Sequence, residues 1–272
     1  MTAHHRQDLL GRDDSPALSR RAFGRTTAGA ALGVLGSTLL TPDSASAQTL
    51  TDVDILNFAL NLEYLEAEFY TRATTGQTIE QAGIGVSGTG AEGQTTGGRK
   101  IDFGASTLRI MKEIADNERN HVQFLRQALG SAAVAKPAIN LDALGPVSTD
   151  RDFLVLARAF EDVGVSAYGG AAKLISDANI LEAAARIALT EAYHAGNIRL
   201  IVALKEIPTR QLDENDYAPP PAGAKYFTTS RTGLAKIRTP SMVLAIVYGS
   251  STRGTSSGGL FPDGVNGTIR SV

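Results

Sequence analysis

The chain has 272 residues, 43% of them hydrophobic, a formal net charge of −2 and no cysteine. That length and apolar content can bury a sizeable core, most simply in one domain with extensions. The near-neutral charge gives no footprint for nucleic acid, and the lack of cysteine excludes disulfides, iron–sulfur centres and a cysteine-ligated electron-transfer module.

The N-terminal stretch carries Arg20-Arg21 within Ser19–Arg25, a 13-residue run from Ala28 to Leu40, and the small-residue sequence Ala45-Ser46-Ala47. It resembles a twin-arginine export signal cleaved after Ala47. The run contains three Gly and is too short to cross about 30 Å of hydrocarbon, so no stable membrane anchor is expected. The resemblance implies the twin-arginine (Tat) export machinery as a partner and a periplasmic or extracellular mature protein. That route carries folded proteins, often with a cofactor already inserted. Removing residues 1–47 takes away five basic and four acidic residues, leaving 21 against 24, or −3.

Helix A is expected from Thr51 to about Thr75, amphipathic, with Thr51 or Asp52 as cap, Gly76 as stop, and Glu63 on it. Residues 76–104 hold nine Gly and read as an insertion without a regular element. Helix B runs from about Ala105 to Leu129, carries Glu118 and His121, and stops at Gly130. Residues 130–148, with Pro137 and Pro146, cannot continue a helix but are long enough to travel the length of a bundle. Helix C follows from about Thr149, capped by Ser148 or Thr149, to about Asp177, with Glu161 its one glutamate. Helix D spans about Ile180 to Ile207 with Glu191 and His194, and Pro208 ends it. Residues 208–272 contain six Pro and eight Gly, leaving room for one short helix at Ser241–Tyr248 with Pro240 in its first turn and Thr239 as cap. The expected organisation is thus a signal (1–47), an all-α four-helix bundle with a long crossover between B and C (48–207), and an irregular C-terminal extension packed on it (208–272).

Only two of the four histidines, His121 and His194, lie beyond residue 47, and each has a glutamate three positions before it: Glu118 and Glu191. On a helix that spacing turns both groups toward one ligand. The flanks match as well, with Ile114 and Ile187 four before the Glu and Leu125 and Ile198 four after the His. Upstream, Leu56, Glu63 and Tyr70 stand at steps of seven, and Leu154, Glu161 and Tyr168 repeat those steps, which sets each Glu on an inward face. The unit is a Glu helix followed by a Glu-x-x-His helix, used twice.

This pattern resembles the ferritin-like class of dimetal carboxylate bundles, in which four carboxylates and two imidazoles meet in the core. The resemblance implies a ferritin-like four-helix bundle and two divalent metal ions, held by Glu63, Glu118, His121, Glu161, Glu191 and His194, which would also be the catalytic residues. Four carboxylates in a core repel one another, and two divalent cations offset that charge, with oxygen-rich coordination suiting iron or manganese better than structural zinc. Glu66 is the alternative to Glu63 on helix A, and the repeat favours Glu63. Tyr70 and Tyr168 could hydrogen-bond ligand carboxylates or quench oxidising equivalents, but buried tyrosines more often pack, and packing is the reading favoured for both.

The export signal, the Gly-rich insertion, Thr239–Leu244 and Gly259–Gly267 are similar to ferritin-like domain proteins related to plant desiccation proteins. The ligand set resembles rubrerythrin without its rubredoxin module, and manganese catalase more loosely, since that uses one fewer ligand. The tail does not resemble the C-terminal helix of storage ferritins, so assembly is left open but a cage is not expected. The implied function is that of an exported oxidoreductase handling dioxygen, peroxide or ferrous iron in stress protection, as a ferroxidase or by catalase-like disproportionation of peroxide. The alternative is a non-catalytic envelope protein, desiccation-related, whose metals only hold the bundle together.

Replacing Arg20 and Arg21 together by Lys should retain the precursor in the cytoplasm, while the native chain yields mature protein starting near Gln48 outside it. Fractionation with N-terminal sequencing checks this, and normal export of the double variant would contradict it.

Overall fold

The computed structural model describes residues 50–272, so the export signal read in residues 1–47 lies outside the described residues. Helix α1 (Asp52–Thr75) starts at a capping box. The Thr51 hydroxyl accepts from the Asp54 amide, and the Asp54 carboxylate accepts from the Thr51 amide. It ends at Gly76, whose φ of 86° is left-handed, where Gly is favoured, and whose N–H donates to the Arg72 carbonyl. Helix α2 spans Ala105–Leu129. Helix α3 (Asp150–Ala171) repeats the capping box with Thr149 and Asp152, and α4 (Ala178–Leu204) is capped by Asp177, which accepts from the Asn179 and Ile180 amides. One boundary differs by more than a few residues. α3 was expected to reach about Asp177 but gives way to a 3₁₀ turn at Ala172–Leu174. The paired Gly169-Gly170 weaken its last turn, and Asp177 is committed to capping the next helix.

α1 packs along α2 and α3 along α4, α1 also meets α3, and residues 130–149 link the two pairs. The fold is the all-α ferritin-like four-helix bundle that the sequence pattern implied. An aromatic cluster ties α1 to α3: Phe69 stacks on Phe153 at 4.3 Å and meets Phe160 edge-on at 4.8 Å, while Tyr70 and Phe103 approach Phe153 by their edges.

Two features depart from expectation. α1 is buried nearly all round rather than amphipathic, because irregular segments cover its outer side. Asn57 donates to the Ala132 carbonyl and accepts from the Val134 amide. Asn61 exchanges hydrogen bonds with the backbone of Asn266, and Arg72 donates to the Gly97 carbonyl. Burial of these amides is tolerated because each is paired. The Gly-rich insertion is also not without structure. Its strand β1 (Thr95–Thr96) pairs in parallel with β2 (Ile139–Asn140) of the crossover. Beside that pairing Lys136 is fully buried, its Nζ 3.2 Å from Glu68 of α1 and 3.0 Å from Glu80, while donating to Thr95 Oγ1 and the Gly93 carbonyl. A buried charge satisfied on this many sides fixes one arrangement of insertion, crossover and α1.

The C-terminal segment adds α5 (Pro240–Val247), capped by Thr239, and contributes Val243, Leu244, Val247, Leu260, Phe261 and Val265 to the same core. A second buried charge network anchors it. Arg158 on α3 donates to Asp216 (2.8 Å), and Arg199 on α4 donates to Asp162 (2.6 Å) and to the carbonyls of Tyr217 and Lys225. Arg238 donates to both oxygens of Asp213 and to Ser166 Oγ. Burial pushes Asp162 up to about 6 even against the charges of Arg199 and Arg158. Gly170 admits this segment, since a Cβ there would stand 1.9 Å from the Arg238 carbonyl oxygen.

Candidate metal centre

Each Glu-x-x-His pair sits mid-helix, one turn of α2 or α4 aiming both groups inward, and the heptad steps of α1 and α3 supply Glu63 and Glu161 from the facing helices. All six side chains are buried, and the four carboxylates have no exposed surface at all. Their ligand atoms form two overlapping groups. Glu63, Glu118, His121 and Glu191 make one, and Glu118, Glu161, Glu191 and His194 the other, each with its atoms within 4.8 Å of one another. Glu118 and Glu191, the acids of the two motifs, belong to both.

The distances show the same sharing. His121 Nδ1 lies 3.2 Å from Glu63 Oε2, 3.3 Å from Glu118 Oε2 and 3.3 Å from Glu191 Oε1. His194 Nδ1 lies 2.8 Å from Glu118 Oε1 and 3.4 Å from Glu161 Oε2. Thus Glu118 turns one oxygen to each histidine. The two rings face each other across 6.4 Å between centroids. The side-chain amide of Asn117 meets His194 Nε2 at 3.0 Å, which leaves Nδ1 as the nitrogen turned to the cluster.

Close approach here does not mean satisfied hydrogen bonding. Glu118 Oε1, both oxygens of Glu161, both oxygens of Glu191 and His194 Nδ1 are buried without a hydrogen-bond partner, although His194 Nδ1 and Glu118 Oε1 are only 2.8 Å apart. Such orphaned atoms are rare in protein interiors and costly when they occur. Their lone pairs converge on the spaces between them, as metal ligands do. The donor set of carboxylate oxygens and two imidazoles therefore fits a hard or borderline divalent cation.

The protonation pattern is what crowding dictates. Burial, then the charge of Glu118, pushes Glu191 well above the usual carboxylate range. Burial likewise raises Glu63 and Glu161 against the pull of the histidines. Glu118 goes the other way: burial works against its charge, but His121 and His194 together hold it down to about 2. Burial opposes charge on His194 too, yet Glu118 and Glu161 push it up to about 11, and His121 is raised against burial chiefly by Glu63. Without a cation, protons on the imidazoles and acids relieve the repulsion. A bound cation would displace them.

Packing was favoured for Tyr168 over a hydrogen bond to a ligand carboxylate, and this is corrected: its hydroxyl donates to Glu63 Oε1 at 2.5 Å from the facing helix. The repeat makes the relation reciprocal, since Tyr70 of α1 addresses Glu161 of α3. That contact is incomplete, because the buried Tyr70 hydroxyl and both Glu161 oxygens lack a partner in hydrogen-bond geometry. Asn117 was not singled out in the sequence, although it lies one position before Glu118 and four before His121. A surface pocket of about 320 Å³ lined by Tyr193, Gly196, Asn197, Leu200, Tyr226 and Phe227 contains none of the six residues.

Residues 51–204 match the model of a family described as a ferritin-like domain. Among curated proteins, the ferritin-like catalase Nec2 of Nesocodon mauritianus is 24% identical over 267 residues, covering 80% of this chain and 84% of that protein.

Tyr168→Phe should destabilise the fold by about 1–3 kcal/mol, because it strips a buried carboxylate of its hydrogen bond. Tyr70→Phe, which removes a hydroxyl without a hydrogen-bond partner, should cost less. Denaturant unfolding of both variants checks the difference, and equal losses would contradict it.

Proposed function

From the premise that this chain belongs to the ferritin-like domain family, we propose that it is a dimetal protein that disproportionates peroxide. Two divalent ions, iron or manganese, would be held by Glu63 and His121 on one side and by Glu161 and His194 on the other, with Glu118 and Glu191 shared. The observation that carries this reading is the pair of overlapping ligand groups with their orphaned buried oxygens. When bound, a redox-active metal pair supplies the electron exchange that peroxide chemistry needs.

The chain's own residues do the rest. Glu118 and Glu191 would set the spacing of the two positions, the buried Ile114, Ile187, Leu125 and Ile198, each four residues from a motif residue on its helix, would limit water, and Tyr168 holds Glu63 by donating to the oxygen that does not face His121. Peroxide disproportionation consumes two peroxides for two waters and one dioxygen, so it requires no outside reductant. That suits a sequence without cysteine to hold an electron-donating iron centre, and the relative named as a ferritin-like catalase supports it. Ferrous oxidation by dioxygen uses the same ligands and is the neighbouring reaction within this reading. We also propose that the protein works in the periplasm or outside the cell, delivered by the signal in residues 1–47, where removing peroxide is protective. A second reading, an envelope protein whose metals only stabilise the bundle, draws on the complete burial of the four carboxylates.

Purified native protein should carry about two iron or manganese ions per chain, release dioxygen from hydrogen peroxide, and lose both properties on Glu191→Ala, with activity falling by about 100-fold or more. Metal analysis with an oxygen electrode makes the measurement. Two metals without oxygen release or ferrous oxidation would favour the structural reading, and activity undiminished in Glu191→Ala would contradict the proposal.

A further inference from the structure

The outer face of α4 does not suit a helix that ends its packing at the bundle. The repeat that sets Glu118 against Glu191 also sets Asp116, Asn120, Gln123 and Gln127, on the outside of α2, against Leu189, Tyr193, Gly196 and Leu200 of α4. The α2 face is polar, as a solvated bundle face should be, with Phe124 its only large exposed apolar side chain. In the same place α4 exposes Leu181, Leu189, Tyr193, Leu200 and Leu204. A helix that is apolar both toward the core and away from it calls for a cover on each side.

The C-terminal segment enlarges this patch. Tyr226 and Phe227 join Tyr193, Gly196, Asn197 and Leu200 around a pocket of about 320 Å³. Leu189, Tyr193, Leu200, Leu204, Tyr226 and Phe227 are each between 47% and 74% exposed. Taking roughly 200 Å² for a fully exposed side chain of this class, they present about 700 Å² of apolar surface. That exceeds the few hundred Å² usual on a monomer and approaches the ~800 Å² that each partner contributes to a standard stable interface.

The order of the residues identifies the occupant. Leu189 and Leu204 stand seven positions outside Gly196 and Asn197, and Tyr193 and Leu200 stand three outside them, so the stripe reads alike from either end. Such a stripe complements itself when two copies are laid antiparallel across a two-fold axis, where residue i of one meets j of the other and j meets i. We infer that α4 is the centre of a dimer of this chain, with the axis passing between Gly196 and Asn197. Leu189 of one copy then meets Leu204 of the other, and Tyr193 meets Leu200 at the pocket. A Cβ on Gly196 would find nothing within 4 Å, so the space at the axis is open to the second helix. A lipid surface or an unrelated protein would need an apolar face but not this symmetry. The inference does not depend on the metal reading.

Sedimentation of the purified native protein should give twice the mass of one chain at micromolar concentration. Leu200→Lys lies at an exposed position and should leave helicity and melting as in the native protein. It should weaken dimerisation by about 100-fold or more, since the axis sets the charge into the apolar face twice. The chain has no cysteine, so single substitutions can test the register by disulfide formation. Under mild oxidation Asn197→Cys, beside the axis, should link two copies, whereas Gln127→Cys on the matching face of α2 should not. Native protein that is monomeric, a dimer that Leu200→Lys leaves intact, or linking no faster in Asn197→Cys than in Gln127→Cys would overturn the proposal. So would a monomer that binds phosphatidylcholine vesicles and loses them on Leu200→Lys, because lipid would then be the cover.

Discussion

Mutual repulsion among carboxylates that have been withdrawn from water is the constraint on which the rest of this structure depends. Glu63, Glu118, Glu161 and Glu191 are fully buried and close enough to share ligand groups, and Glu66 lies beside them. Charges so placed must be neutralised by protons or cations, at a cost that no surface acid bears. Every element that holds them there therefore has to be rigid. Side-chain caps start α1, α3 and α4, the aromatic stack of Phe69 on Phe153 locks α1 to α3, and the Tyr168 hydroxyl reaches Glu63 from the opposite helix.

The irregular half of the chain serves the same end. The insertion after α1, the crossover and the tail wrap the outer side of α1, which would otherwise face solvent one helix diameter from the charged centre. Two buried charge networks, Lys136 with Glu68 and Glu80, and Arg158, Arg199 and Arg238 with their aspartates, fix those wraps in place. Networks of this kind add less to stability than to uniqueness, since each is satisfied in one arrangement only. The described core is accordingly one continuous cluster running from Ile55 to Val265.

Helix positions were legible because their signals are local. Capping residues, glycine stops and prolines mark the ends, and α1, α2 and α5 lie within about a residue of where the sequence put them. The six clustered side chains were legible for a related reason: spacing of three and seven residues fixes a face, and the repeat fixes which faces correspond. What stayed hidden depends on contacts distant in sequence. The parallel pairing of Thr95–Thr96 with Ile139–Asn140 joins two short segments with no period to detect. The all-round burial of α1 follows from segments that pass over it, not from its own pattern. Tyr168 could be set on the right face but not at 2.5 Å from Glu63.

The central claim is that two metal ions lie between Glu118 and Glu191, and anomalous diffraction from crystals of metal-loaded protein tests it most directly. The account predicts two anomalous peaks about 3.5–4 Å apart, one bounded by Glu63 and His121 and the other by Glu161 and His194. A single peak, or peaks confined to surface carboxylates while the buried cluster stays empty, would contradict it.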